Sequence, residues 1–136
     1  MLDVTQPASL AAKGLTLFGV GASPGFARGR ARAVRSRADL ARLRPDEVLV
    51  VDALPNKWLP ALPHCRAAVT ETGGPLQFSA RVLREHGVPA VVGVAGALAK
   101  IADGDQVEVD GSLGMVRVPD QGQSRSSQHG QAPASS

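Results

Sequence analysis

Val69-Thr70-Glu71-Thr72-Gly73-Gly74-Pro75-Leu76-Gln77-Phe78-Ser79-Ala80-Arg81-Val82-Leu83-Arg84-Glu85-His86-Gly87-Val88-Pro89-Ala90-Val91-Val92 is the stretch whose reading decides the fold. It begins at the end of a compact apolar run, Ala67 to Thr70, of the kind that forms a buried strand. Gly73-Gly74 breaks that strand, Pro75 stands at a favoured first-turn position and Gly87 follows the last turn, so a helix is predicted over Pro75–His86. A further apolar run, Pro89 to Gly93, reads as the next strand.

Outward from this unit, Thr16 to Val20 and Val48 to Val51 are short apolar strands, and Arg30-Ala31-Arg32-Ala33 alternates with period two, as a half-exposed strand does. Gln106 to Asp110 and Met115 to Val118 complete about seven strands, with lesser helices expected over Ala38–Leu43 and Lys57–Leu62. The predicted class is α/β, a mixed sheet with one principal helix entered through a Gly-Gly loop. At 136 residues and 43% hydrophobic the chain supports one domain, with a core of Val, Leu, Ala and Ile because it has no Tyr, three Phe and one Trp. Trp58 and Phe18 are expected in that core. Residues 14–118 are read as the folded unit, 1–13 as an uncommitted N-terminal segment, and 119–136, rich in Gln, Ser, Gly and Pro, as a disordered tail. Met1 and the polar tail favour a whole gene product.

The formal net charge is +3. Nucleic acid is not implied, since 3% aromatic residues leave little for bases to stack on. Cys65 stands alone, which excludes a disulfide framework and fits a reducing cytoplasm; His64-Cys65 lacks the companion ligands a metal site needs. No secretory signal and no membrane span is expected, and no cofactor or metal is assigned. Arg28, Arg30, Arg32, Arg35, Arg37, Arg42 and Arg44 face Asp39 alone before Pro45, a pattern read as a solvated edge that discourages strand-to-strand aggregation.

A strand, glycines and a helix start form a recipe for holding an anion, because the first helical amides lack intrahelical partners. Thr72, Gly73 and Gly74 are the candidates, with Ser79 at the helix start and Arg84 adding charge. A purely structural need for positive φ in the loop explains the same glycines.

The whole run from Val69 to Leu76, followed by Arg84 to Val94, resembles the mobile domain of the PEP-utilising enzymes, the swivelling phosphohistidine domain of PEP synthase and pyruvate phosphate dikinase. Further motifs follow in order: Gly21-Ala22-Ser23-Pro24-Gly25 with Gly29, Pro45 to Val50, Trp58-Leu59-Pro60, Asp103-Gly104-Asp105, Val109-Asp110-Gly111, Gly114 and Val116. The resemblance covers nearly all of Gly19 to Val118 and implies a swivelling β/β/α fold. In the family a histidine at the helix start accepts a phosphoryl group and the domain carries it to a second site. Aligned without gaps, that position is Phe78, preceded by Gln77, and Arg81 stands where the family expects an aliphatic residue facing the sheet.

A phenyl ring has no lone pair with which to attack phosphorus, so Phe78 is no phosphocarrier. His86 lies eight residues along the same helix, roughly 12 Å farther down its axis, and His64 and His129 are elsewhere in the chain. The leading expectation is therefore a noncatalytic accessory module of a phosphotransferase-like complex. Nucleotide-binding and PEP- or acceptor-binding functions would then come from separate subunits, with Phe78 as a docking anchor exposed in the isolated chain. An active phosphoryl carrier working through an unidentified residue, and a small anion-binding protein, stand as alternatives.

Overall fold

The computed structural model describes residues 14–55, 57, 58, 60, 64–74 and 77–119. Among them are β1 (Leu15–Phe18), β2 (Val20–Ser23), β3 (Phe26–Val34), β4 (Glu47–Val51), β5 (Ala67–Thr70), β6 (Ala90–Val92), β7 (Gln106–Asp110) and β8 (Met115–Val118). Three helices accompany them: α1 (Arg37–Leu40), α2 (Phe78–Glu85) and α3 (Ala97–Lys100). The strands form one mixed sheet in the order β1-β8-β7-β3-β4-β5-β6-β2, parallel from β3 through β6 and antiparallel elsewhere. The predicted α/β class and its single principal helix after a Gly-Gly loop are what the chain adopts.

The first and last strands of that order are separated in the chain by Gly19 alone, so the sheet curls until its two edges meet. The expected strand Thr16–Val20 is therefore two strands. Its first part pairs with β8 and its continuation with β6, and the Gly19 N–H donates to the Gly114 carbonyl at 2.9 Å. A Cβ on Gly19 would fall on the Val92 carbonyl oxygen and within 2.8 Å of the Val94 side chain, which is why the closure occurs at a glycine.

Strand alternation then sorts the side chains into two clusters. Val48, Val50, Ala67, Val69, Val91, Val107, Val109 and Val116 fill the interior with Leu17 and Ile101. Leu49, Val51, Ala68, Ala90 and Val92 point outward and are covered by Ala80 and Leu83 of α2, with Trp58 and Cys65 alongside. Trp58 is thus in the core as expected, whereas Phe18 is 69% exposed, because Leu15 and Leu17 take the inward parity of β1 and leave Thr16 and Phe18 outside.

The arginine reading also needs correction. Strand β3 lies between β7 and β4, not at an edge. Two of its outward arginines lie beside carboxylates: Arg32 makes a two-pronged bond to Glu47 at 3.0 and 2.8 Å, and Arg28 lies 3.9 Å from Glu108.

The helix expected over Ala38–Leu43 runs instead over Arg37–Leu40, capped by the Ser36 hydroxyl, which accepts from the Asp39 N–H. Half of the helix expected over Lys57–Leu62, the 1–13 segment, residues 120–136, Pro75 and Leu76 lie outside the described residues.

Candidate functional site

Strand β5 delivers the chain into the loop between Thr70 and Gln77 at one end of the barrel. Thr70 is buried and donates its hydroxyl to the Thr72 carbonyl at 2.6 Å; the Thr72 hydroxyl donates to the Asp52 carbonyl at 3.0 Å. The Thr72 hydroxyl is thereby tied to the neighbouring β4 end. Glu71 turns the other way, and its carboxylate accepts from the Leu98 N–H at 2.8 Å, joining the loop to the first turn of α3.

Gly73 has φ +101, and a Cβ there would come within 2.8 Å of the Gln77 side-chain oxygen. The backbone conformation calls for glycine at this position, whereas the Gln77 side chain could swing aside. Gly74 is half-buried with ordinary φ, and its carbonyl accepts from the Gln77 N–H at 3.2 Å.

Helix α2 begins at Phe78, three residues later than predicted, with Gln77 as its N-cap and no capping bond from the Gln77 side chain. Phe78 is 56% exposed and Ser79 half-buried, while Ala80 and Leu83 face the sheet. Arg81, at the position where the family resemblance implies an aliphatic residue facing the sheet, points to solvent and pairs with Glu85 at 3.6 Å.

The structure brings Thr72, Gly73, Gly74, Phe78 and Ser79 to one loop and helix start. Arg84 is not among them: it lies on the last turn of α2 and donates to the Ala22 carbonyl at 2.9 Å, pinning the helix to β2. His86 is the C-cap of the same helix, with Nδ1 3.1 Å from the Val82 carbonyl, and His64 is exposed ahead of β5. Among the described residues no group of three or more His, Cys, Asp or Glu side chains is placed to share a metal ion, and no helix is long and apolar enough to cross a membrane.

Several residues of the quoted motifs are structural. Asp103 accepts from the Ala33 N–H at 2.6 Å, Asp105 accepts from the Ala102 N–H at 2.9 Å, and Asp110 accepts from Ser112 and Leu113 at 3.0 and 2.9 Å. They fix the turns that bound β7 and so set the register of the sheet. The exposure of Phe18, Phe26 and Leu113 escaped the sequence reading. The alternation of Leu15 and Leu17 with Thr16 and Phe18 was the available signal.

Residues 43–114 match the PEP-utilising enzyme, mobile domain family. The chain is 44% identical over 102 residues to chondramide synthase cmdD of Chondromyces crocatus, a match covering 75% of this chain and 3% of that protein. It is 38% identical over 100 residues to a probable phosphoenolpyruvate synthase of Pyrococcus abyssi, covering 74% of this chain and 12% of that protein. The chain thus spans only a small part of these relatives. Among solved structures, the solution structure of an Enzyme I protein superposes with a TM-score of 0.53 at 24% identity, over 71% of this chain and 40% of that one, a likeness of fold. Fold and family match agree with the order of motifs along the sequence, and the chain belongs to the PEP-utilising enzyme mobile-domain family.

Proposed function

We propose that this chain is a mobile domain that has lost phosphoryl carriage and serves as a noncatalytic docking module of a phosphotransferase-like assembly in the cytoplasm, with the nucleotide-binding and PEP- or acceptor-binding parts on separate subunits. The observation that carries this reading is Phe78, a 56% exposed ring at the first position of α2, where gap-free alignment with the family motif puts the phosphoacceptor histidine. A phosphocarrier has to present a nucleophilic nitrogen at this point, and a phenyl ring presents none. An exposed ring gains from being covered, by roughly 1.5 to 3 kcal/mol when burial is complete.

Intact-mass measurement after incubation with ATP and with phosphoenolpyruvate, alone and with candidate kinase-like and PEP-binding chains, tests the loss of carriage. No phosphoryl adduct is expected on the wild-type chain, and the double change Gln77→Ser with Phe78→His restores the family's local sequence at the helix start. An acid-labile adduct on the wild-type chain, on His64, His86 or Ser79, overturns the reading. Docking is tested by Phe78→Ala, which is expected to weaken association with such a chain at least tenfold, about 1.4 kcal/mol.

A further inference from the structure

The barrel's outer surface is unequally covered. Helix α2 lies over the half made by β2, β6, β5 and β4. On the other half, made by β3, β7, β8 and β1, the register aligns outward residues in rows across the strands. One row runs Phe26, Asp110, Met115, Phe18. Phe26 is 59% and Phe18 69% exposed, and Leu113, in the turn joining β7 to β8, is 72% exposed. Val20 follows Phe18 at the same outward parity and is also exposed. These side chains put on the order of 400 Å² of apolar surface in water, the size of the largest apolar patch on a typical monomer, which is often functional. Asp110 carries its charge within the row, with one carboxylate oxygen accepting both the Ser112 and Leu113 N–H groups of the hairpin.

The adjoining row, one pleat repeat or about 7 Å along the strands, is Arg28, Glu108, Arg117, Thr16. Here Arg117 lies 3.1 Å and Arg28 3.9 Å from the single Glu108 carboxylate, and both guanidinium side chains are about half exposed. One carboxylate is shared by two arginines, and Arg30 lies in the following row opposite Gln106. The apolar row is therefore bordered on this side by three guanidinium groups, Arg28, Arg30 and Arg117, which outnumber the carboxylates of Glu108 and Asp110 by one.

We propose that this half of the barrel, where Phe18, Phe26 and Leu113 stand exposed among the described residues, is a docking surface for a protein segment that presents apolar anchors flanked by Asp or Glu. The apolar row takes the anchors, and the surplus guanidinium groups beside it take the carboxylates by charge-assisted hydrogen bonds. A second copy of this chain is a poorer occupant, since the same face brings its own arginines and no surplus of carboxylates. The inference rests on the register and exposure of β3, β7, β8 and β1, and it stands or falls independently of Phe78, which is on the helix over the other half.

The test is selection of phage-displayed random 16-residue peptides on the immobilised 136-residue chain, followed by affinity measurement of the enriched peptides by fluorescence polarisation. Enrichment of apolar side chains flanked by Asp or Glu is expected. Binding should fall at least tenfold with Phe18→Ser and Phe26→Ser combined, fall similarly with Arg28→Glu and Arg117→Glu combined, and weaken with added salt, while Phe78→Ala leaves it unchanged. No enrichment, enrichment of basic or purely apolar peptides, or binding that the Phe18 and Phe26 changes leave intact overturns the proposal. So does concentration-dependent self-association that those changes abolish, which would assign the face to a second copy. Circular dichroism of each variant separates loss of the surface from loss of fold.

Discussion

The two halves of the barrel's outer surface are built on the same pleat but populated differently. Under α2 the outward positions are Ala22, Leu49, Val51, Ala68, Ala90 and Val92, small or aliphatic and buried. On β3, β7, β8 and β1 they include arginines, acids, Gln106, Met115, Thr16, Phe18 and Phe26. The contrast teaches that aromatic character is no guide to burial in this chain. Its interior is made by close packing of Val, Ala and Leu, and all three phenylalanines are exposed. The interior cluster contains no ring, and of the four aromatic residues only Trp58, in the cluster under α2, is buried.

Four measurements break or sharpen this contrast, beginning with the largest effect. Leu83→Ala removes a 1% exposed side chain from the seam between α2 and the sheet and is expected to cost about 2 to 5 kcal/mol in denaturant unfolding. A loss below 1 kcal/mol would mean that the covered half is not the better packed one. In the same seam, burial pushes the Cys65 thiol up to about 12 from an ordinary 9.0. Its alkylation at pH 8 is expected to be slower than that of the unfolded chain by about a thousandfold, the ratio of thiolate populations; equal rates would show the seam open to solvent.

Where the two halves meet, Glu47 of β4 binds Arg32 of β3 with both oxygens and also accepts from the Arg44 N–H at 3.0 Å. Glu47→Ala should cost about 2 kcal/mol at neutral pH, through loss of charge-assisted bonds in a partly buried place. The Arg32 guanidinium holds the Glu47 carboxyl below the ordinary glutamate range. A carboxyl with a lowered folded-state value contributes stability above its unfolded value and loses it as pH falls through the folded one. The gap between wild type and Glu47→Ala should therefore close below about pH 4, and a gap unchanged at pH 2 would assign the cost to packing. Smallest of all, Phe18→Ala and Phe78→Ala are each expected to change folding stability by less than about 1 kcal/mol, as for exposed positions. A loss of 3 kcal/mol from either would place its ring in the core.

Much of the sheet was legible in the sequence because β4, β5 and β6 are buried on both faces, and such strands read as unbroken apolar runs. The break at Gly19 was not legible. Thr16 to Val20 has no turn chemistry beyond one glycine, and only barrel closure requires the chain to change partners there. The arginines of β3 read as an edge because their partners, Glu47 and Glu108, lie 15 or more residues away in sequence. At the candidate site, the glycine loop and helix were visible from spacing, but the late helix start at Phe78 was not, since Pro75 is an acceptable first helical residue. Arg84 was grouped with the loop as nearby charge, whereas a last-turn position carried it to Ala22.

The pairing of Leu15 with Val118 puts the two ends of the eight-stranded sheet's chain side by side, on adjacent antiparallel strands. Tension applied through those ends pulls β1 and β8 apart from one side, so their bonds are loaded one after another and not together. Such a seam opens like a zipper at low force, from Leu15 and Val118 toward Phe18 and Met115, until it meets the barrel's closure at Gly19 and Gly114. Mechanically the domain is soft along this line, and the first strand to yield is the one that closes the barrel.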